Sequence, residues 1–171
     1  MALTPVQRDV CRLLARSRVE RGESYVAGGA ALNELLGGAR RSRDLDLFHD
    51  TAEALAASWQ ADRRTLDGAG YEVALVRERP SFVEAEVRSR GQSVVLQWAH
   101  DSAYRFFPLL THEDLGLTLH PFDLATNKVL ALVGRVEPRD FVDTLTAAAL
   151  VSSALVYHEG HVGGVLPRIL R

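Results

Sequence analysis

The 171-residue sequence holds one cysteine, Cys11, so no disulfide can close within the chain and a cysteine-built zinc site is not expected. No apolar run approaches the ~18 residues of a membrane span, so no membrane contact is expected. The opening stretch, MALTPVQRDV, carries charge early and lacks the apolar core of a signal peptide, which makes the cytoplasm the expected location. Charge of one sign is also lacking. The net charge is -2 and the pI near 6.3, which excludes a uniformly basic coat for nucleic acid but not a local basic patch. Lysine is nearly missing: of 20 basic residues, Lys128 is the single lysine. Isoleucine occurs once, at Ile169. A GC-rich coding sequence produces that bias. Lysine is a compact point charge and arginine a planar fork, so a lone lysine can mark a position where arginine will not serve.

What is present suits a soluble globular chain. Hydrophobic residues make up 47% and charged residues 25%, enough to build a core. The length suggests a core over residues 1–120 and a helical part over 121–171, packed on the core as a single compact unit. Thr4 and Pro5 open a helix whose apolar face is Val6, Val10, Leu13 and Leu14, and Gly22 ends it. Ser24 to Ala27 reads as a strand, followed by Gly28-Gly29 and a short helix from Ala30 to Leu36. Asp44 to Phe48 alternates with period two and reads as a strand. Thr51 caps a helix over about 52–66. Tyr71 to Val76, Phe82 to Ser89 and Gln92 to Trp98 read as strands, the last two joined at Arg90-Gly91. Residues 99–120 read as irregular. Helices follow from Pro121 to Val133 and from near Pro138, and 157–171 shows no clean period. The order implies an α/β (α+β) sandwich, a small mixed sheet with helices packed against it, plus a C-terminal helical part.

The chemistry concentrates between Tyr25 and Phe48. Asp44 and Asp46 stand two apart on a strand, so both carboxylates share one face while Leu45 and Leu47 face the core. Adjacent carboxylates repel unless a cation lies between them. Their hard oxygens suit Mg²⁺, which takes one or two protein carboxylates and leaves other positions to water and phosphate. The ordinary alternative is a solvated strand bearing two acids. Gly28-Gly29 ends a strand and opens a helix. Glycine admits close backbone approach, and a helix start offers free N–H groups to an anion. A simple strand-to-helix turn is the alternative there. Arg40, Arg41 and Arg43 could neutralise phosphates, with Ser42 as a donor. An anion site beside a cation site is what a magnesium-bound triphosphate needs.

The segment GGAALNELLGGARRSRDLDLF resembles the first motif of the DNA-polymerase-β-like nucleotidyltransferase superfamily. More narrowly it is similar to the AbiEii/AbiGii-type nucleotidyltransferases, many of them toxins of toxin–antitoxin pairs. Arg41, Ser42, Asp44 and Asp46 match that pattern position by position. DLATNKVLALVGRVEPRDFVDTL, residues 123–145, resembles the family's helical segment and supplies Lys128, Arg135, Asp140 and Asp143. The resemblance covers roughly residues 24–145. It implies a minimal polymerase-β-like nucleotidyltransferase fold and transfer of a nucleoside monophosphate from an NTP to a hydroxyl. It further implies that Asp44 and Asp46 hold Mg²⁺ (or Mn²⁺) and that Gly28 and Gly29 cradle the triphosphate, beside Arg41, Ser42 and Arg43. Lys128 would contact phosphate or base, and Asp140 would orient Lys128 or the acceptor. The implied acceptor is RNA, such as a tRNA end, and the implied partner a cognate antitoxin protein. Without the resemblance, Lys128 reads as a surface helix residue and Asp140 as a first-turn acid after Pro138.

One position departs from the family pattern. A third carboxylate is expected on a later strand, and Gln97 stands in its place. Glu84, Glu86 and Asp101 are nearby acids that could compensate, although ordinary solvated strand and loop positions explain them too. Two further readings therefore stand beside the first: a small-molecule (aminoglycoside-type) nucleotidyltransferase, and a non-catalytic nucleotide-binding module. An acidic pocket would favour the former and a basic groove RNA. His100, His112, His120, His158 and His161 show no metal-ligand spacing, and His49 is expected to line the site mouth. Trp59 and Trp98 read as core or edge packing. Tyr104 to Phe107 could stack a base, with half-buried loop packing as the alternative.

Overall fold

The computed structural model describes residues 3–37, 41–134, 141–145 and 147–148. Helix α1 spans Pro5–Arg21 behind a capping box. The Thr4 side chain accepts from the Gln7 N–H, and the Gln7 side chain accepts from the Thr4 N–H at 2.8 Å. Gly22 closes the helix in the left-handed region at φ 73. Strand β1 (Ser24–Ala27) passes directly into α2 (Gly28–Leu35), so the two glycines form the first helical turn instead of preceding it. Then come β2 (Asp44–His49), α3 (Ala52–Gly68), β3 (Glu72–Arg79), β4 (Phe82–Ser89) and β5 (Gln92–His100). The segment expected to be irregular holds two three-residue strands, β6 (Leu110–His112) and β7 (Gly116–Thr118). Helix α4 spans Pro121–Gly134, and residues 141–145 are helical. The helix expected from Pro138 and the tail 157–171 lie wholly or partly outside the described residues.

Seven strands form one sheet in the order β3-β4-β5-β2-β1-β7-β6. Pairing is parallel between β2 and β5 and between β1 and β7, and antiparallel elsewhere. One face of the central strands carries the core. Leu45, Leu47, Val83, Ala85, Val87, Val94, Leu96 and Trp98 all point there and are buried, as period-two alternation requires. Helix α3 packs on that face through Trp59, whose ring meets Trp98 edge-on at 4.8 Å, and through Asp62, which accepts from the Trp98 indole N–H at 2.9 Å. Helix α1 lies against β7. A Cβ on Gly116 would come within 2.9 Å of Ala15 Cβ, so glycine allows the two elements to touch. Cys11 is buried in α1, and burial pushes its thiol up to about 11, which leaves it unreactive. No helix among the described residues is long and apolar enough to cross a membrane. The chain divides into two units, residues 1–124 and 125–171.

The strand parity places His49 with Leu45 and Leu47 on the core face, fully buried, and not at the mouth of a site. Its Nδ1 lies 3.3 Å from the Ala99 carbonyl oxygen. Burial pushes the imidazole down to about 4. The Ala99 carbonyl opposes the shift, the nearby Arg18 charge adds to it, and the Leu47 carbonyl and Asp50 oppose it. The unfolded chain therefore takes up this proton first, near pH 6.5, and the fold only near pH 4. Stability contributed by neutral His49 is present above pH 6.5 and lost as the pH falls toward 4, by up to about 3 kcal/mol. Urea unfolding from pH 7 to 4 should show this loss in the wild type and a correspondingly smaller one in His49→Leu.

Candidate active site

The opposite face of β2 carries Asp44 and Asp46, both half-buried, in strict alternation with the core leucines. Strand β1 runs antiparallel beside it with Ala27 opposite Asp46. The chain turns into α2 at the next residue, so the Asp46 carboxylate meets the start of that helix. Gly28 has φ +67, and a Cβ there would come within 1.8 Å of Asp46 Oδ2. Only glycine satisfies both the backbone angle and the contact. Ala27, the residue before the helix, provides no side-chain cap. Inside α2, buried Asn33 donates its amide to the Gly29 carbonyl at 2.7 Å and fixes the first turn. The result is an uncapped helix N-terminus with a carboxylate against its first residue and a second carboxylate on the same strand face. A helix start favours anions, and paired carboxylates favour a cation, at one place.

The segment before β2 is tied down from below. Gln7, buried in α1, donates its side-chain amide to the Ser42 carbonyl at 2.9 Å. The same amide lies 3.5 Å from the Arg43 carbonyl. Arg41 and Arg43 are exposed, and Ser42 is half-buried. The structure thus brings Gly28 and Asp46 into contact, sets Asp44 beside Asp46, and leaves the two arginines directed by an anchored backbone. Gly29 is buried within the first turn of α2. Arg40 and Asp140 lie outside the described residues.

Lys128 belongs to the second unit. Its Nζ pairs with Asp143 Oδ2 at 2.9 Å, both side chains being nearly buried, and the Thr144 hydroxyl donates to the Lys128 carbonyl at 3.3 Å. The partner the structure shows for Lys128 is therefore Asp143, three residues beyond the acid expected from the sequence.

In the first unit the open sheet face continues across β5 and β4. Gln97 is the register partner of Asp46, and Glu84 the partner of Gln97. The Gln97 amide donates to Glu84 Oε2 at 2.8 Å. Glu86 is one row away, opposite Val95, with its Oε2 2.5 Å from Arg88 Nη2. The Glu86 carboxyl is held below its ordinary range, first by the bond from Arg88. Asp101 lies past the end of β5, where its Oδ1 accepts from the Ser102 N–H.

Two pairs up from Asp46 the same face turns aromatic. Tyr25 stacks on Phe48 at 6.1 Å, and the Arg105 guanidinium stands 5.0 Å over the Tyr25 ring while pairing with Asp50 at 2.5 Å. Burial pushes the Tyr25 hydroxyl up to about 12, aided by Asp101, opposed by Arg105, and aided again by Asp50 and Asp123. Phe107 packs on His120 at 4.4 Å, and Phe106 meets both Tyr104 and Phe122 edge-on. Asp123 accepts from the Phe106 and Phe107 N–H groups and fixes this loop. Loop packing thus accounts for Arg105 and Phe107, while Tyr104 remains 73% exposed. The Arg105–Asp50 pair escaped the sequence reading because its partners lie far apart in the chain, whereas the Glu84–Gln97 pair spans the hairpin expected at Arg90-Gly91, whose register places the two opposite each other.

Among the described residues, no three His, Cys, Asp or Glu side chains gather into a metal-binding group. Two carboxylates fit an ion that takes its remaining ligands from water and phosphate, as Mg²⁺ does. The donor chemistry, hard oxygen throughout, also fits Mn²⁺.

No protein-family model matches the sequence, and no curated protein matches it. Solved structures do. An H. pylori protein assigned as a nucleotidyltransferase aligns with TM-score 0.56 at 18% identity, over 82% of this chain and 67% of its own. The antibiotic-resistance factor ANT(2'')-Ia aligns with TM-score 0.58 at 14% identity, over 93% of this chain and 100% of its own. JHP933 from Helicobacter pylori aligns with TM-score 0.56 at 16% identity, over 83% and 66%. The fold is that of the nucleotidyltransferases. It is a mixed sheet with helices packed on it, and β2 and β1 are adjacent strands in the middle of that sheet.

The contact between Gly28 and Asp46 yields a paired prediction. Gly28→Ala must expel the Asp46 carboxylate and strain a positive φ, so it should lower stability by about 1–3 kcal/mol and abolish any ligand binding at that contact. Gly22→Ala has the same kind of φ, +73, but open space around its Cβ. It should cost only the backbone strain, about 1 kcal/mol, and leave binding intact. Calorimetric titration and thermal melting of the two variants check this.

Proposed function

We propose that the chain transfers a nucleoside monophosphate from an NTP to a hydroxyl acceptor. The observation that carries this reading is the Asp46 carboxylate lying on Gly28 at the uncapped start of α2, with Asp44 beside it. Phosphates and a divalent cation find complementary groups there within one side-chain length. The nucleotidyltransferase fold of the solved structures supports the same reading.

In this mechanism Asp44 and Asp46 hold Mg²⁺, and Gly28 and Gly29 present backbone N–H groups to the triphosphate. Arg41, Arg43 and Ser42 lie on the segment leading into β2 and approach the outer phosphates. Lys128 and Asp140, both in the second unit, are further candidates for contact with NTP or acceptor. When bound, the magnesium ion neutralises charge developing on the phosphate oxygens. The acceptor oxygen forms its bond to the α-phosphorus while the bond to pyrophosphate breaks, and pyrophosphate leaves with the electron pair. Positioning and electrostatics supply most of the acceleration.

The acceptor in this reading is RNA, such as a tRNA end, in the cytoplasm, as in a toxin held in check by an antitoxin protein. Exposed Arg41 and Arg43 beside Asp44 supply the phosphate contacts that RNA requires. A second reading takes a cationic small molecule of the aminoglycoside type as acceptor. Glu84 and Glu86 on the open face favour it, as does the likeness to an antibiotic-resistance factor along that protein's whole length.

The test is label transfer. Purified protein with Mg²⁺, each α-labelled NTP, and total tRNA or an aminoglycoside should label one acceptor. Asp44→Asn/Asp46→Asn should lower transfer by at least about 10³-fold. Label on tRNA supports the RNA reading, and label on the aminoglycoside the second. Equal transfer by the double variant sinks the assignment of the two acids.

A further inference from the structure

The nucleotidyl-transfer reading needs a group to take the proton of the attacking hydroxyl, and the position beside Asp46 on β5 is an amide, Gln97. An amide is neither a base nor a negative charge. Yet Gln97 is not idle. It donates its side-chain N–H to Glu84 Oε2 at 2.8 Å, across the next strand pair. Glu84, Gln97 and Asp46 are register partners in β4, β5 and β2, so their side chains form one row on one face. Strands lie ~4.8 Å apart, which puts the Glu84 backbone roughly 10 Å from that of Asp46. The Gln97 bond ties the Glu84 carboxylate to the middle member of that row, the register neighbour of Asp46.

The other acids on this face do not compete. Glu86 is held by Arg88 at 2.5 Å, and Asp101 caps a turn beyond the end of β5. From β3, the register partner of Glu84 is Arg77, whose guanidinium lies over the Phe82 ring at 5.9 Å. Among the described residues, no salt bridge neutralises Glu84, and it is half-buried.

We infer that Glu84 is the third carboxylate of the site, displaced one strand outward and aimed by Gln97. This rests on the nucleotidyl-transfer reading. In the step it serves, the acceptor O–H bond breaks and its proton passes to the Glu84 carboxylate. The oxygen bonds to the α-phosphorus, and pyrophosphate departs. Gln97 is a positioning residue that keeps the carboxylate turned toward the phosphate.

The experiment compares wild type, Glu84→Gln and the exchange Glu84→Gln/Gln97→Glu. Magnesium-ATP and the other magnesium-NTPs are titrated by calorimetry. Steady-state transfer is then followed to total tRNA and to an aminoglycoside. Glu84→Gln should bind NTP within about threefold of wild type and keep its KM, while kcat falls by at least about 10²-fold. The exchange preserves net charge and the paired side chains, and should recover kcat to within about tenfold of wild type. Wild-type kcat in Glu84→Gln overturns the inference. So does an exchange variant that melts like wild type but is no faster than Glu84→Gln. A wild-type protein that binds NTP yet labels neither acceptor overturns it as well, because a working third carboxylate should permit transfer. A wild-type protein that binds no NTP is a different failure, that of the nucleotidyl-transfer reading itself.

Discussion

A single steric fact governs the site: the place where Gly28 would carry a Cβ is already taken by the Asp46 carboxylate. For that contact to exist, β1 must end at Ala27 opposite Asp46, and the chain must enter a helix at once with φ +67. The antiparallel register of β1 and β2 sets the first condition. Glycine alone meets the second without strain. The helix that begins there then places its positive end on the carboxylate, which stabilises the arrangement. Shifting β2 by one residue would turn Asp44 and Asp46 into the core and Leu45 and Leu47 out to the site face. The buried leucines therefore hold the carboxylates in place.

The covered face contributes rigidity in a less obvious way. Arg18, in the last turn of α1, is buried and donates to the carbonyls of Cys11 at 3.0 Å and Leu115 at 3.3 Å. Asp62, from α3, is buried within the field of Arg18 and bonded to Trp98. Burial lowers the Arg18 pKa and raises that of Asp62, so neither charge is a source of much net stability. Their effect is selective. A packing of α1 or α3 that broke these bonds would leave the Arg18 guanidinium or the Asp62 carboxylate buried without its hydrogen-bond partners. Trp98 is the residue next to Gln97 on β5 and points the opposite way. The buried Trp98–Asp62 bond on one face and the Gln97–Glu84 bond on the other thus hold the same stretch of strand.

The sequence was readable wherever one residue type had one physical use. Thr4-Pro5 and Gly22 mark both ends of α1, and the alternation of DLDLF fixes which side of β2 is acidic. The same alternation extends one residue further and puts His49 in the core, a signal present in the pattern but outweighed by the polarity of histidine. The start of α2 at Gly28 was harder, because glycine is a poor helix former on propensity, and only the contact with Asp46 explains it. Strands β6 and β7 have three residues each, too few to show a period, and their hairpin joins the sheet only through the pairing of β7 with β1, distant in the chain. The Glu84–Gln97 row was out of reach for a related reason. It depends on two registers, and the turn at Arg90-Gly91 gives only the one between β4 and β5, while the pairing of β5 with β2 joins segments far apart in the chain.

The lone lysine shows where composition and structure inform each other. In a chain whose other basic residues are all arginine, Lys128 sits with 11% of its side chain exposed beside Asp143 at 2%. A guanidinium there would need room for a planar fork and satisfy several donors at once, whereas an ammonium needs only a point contact. A nearly buried cation paired with one carboxylate gains little net energy from the pair itself, because both groups lose hydration. Separating the two would nonetheless leave the Asp143 carboxylate buried without its cation, so the cost of breaking the pair holds it together.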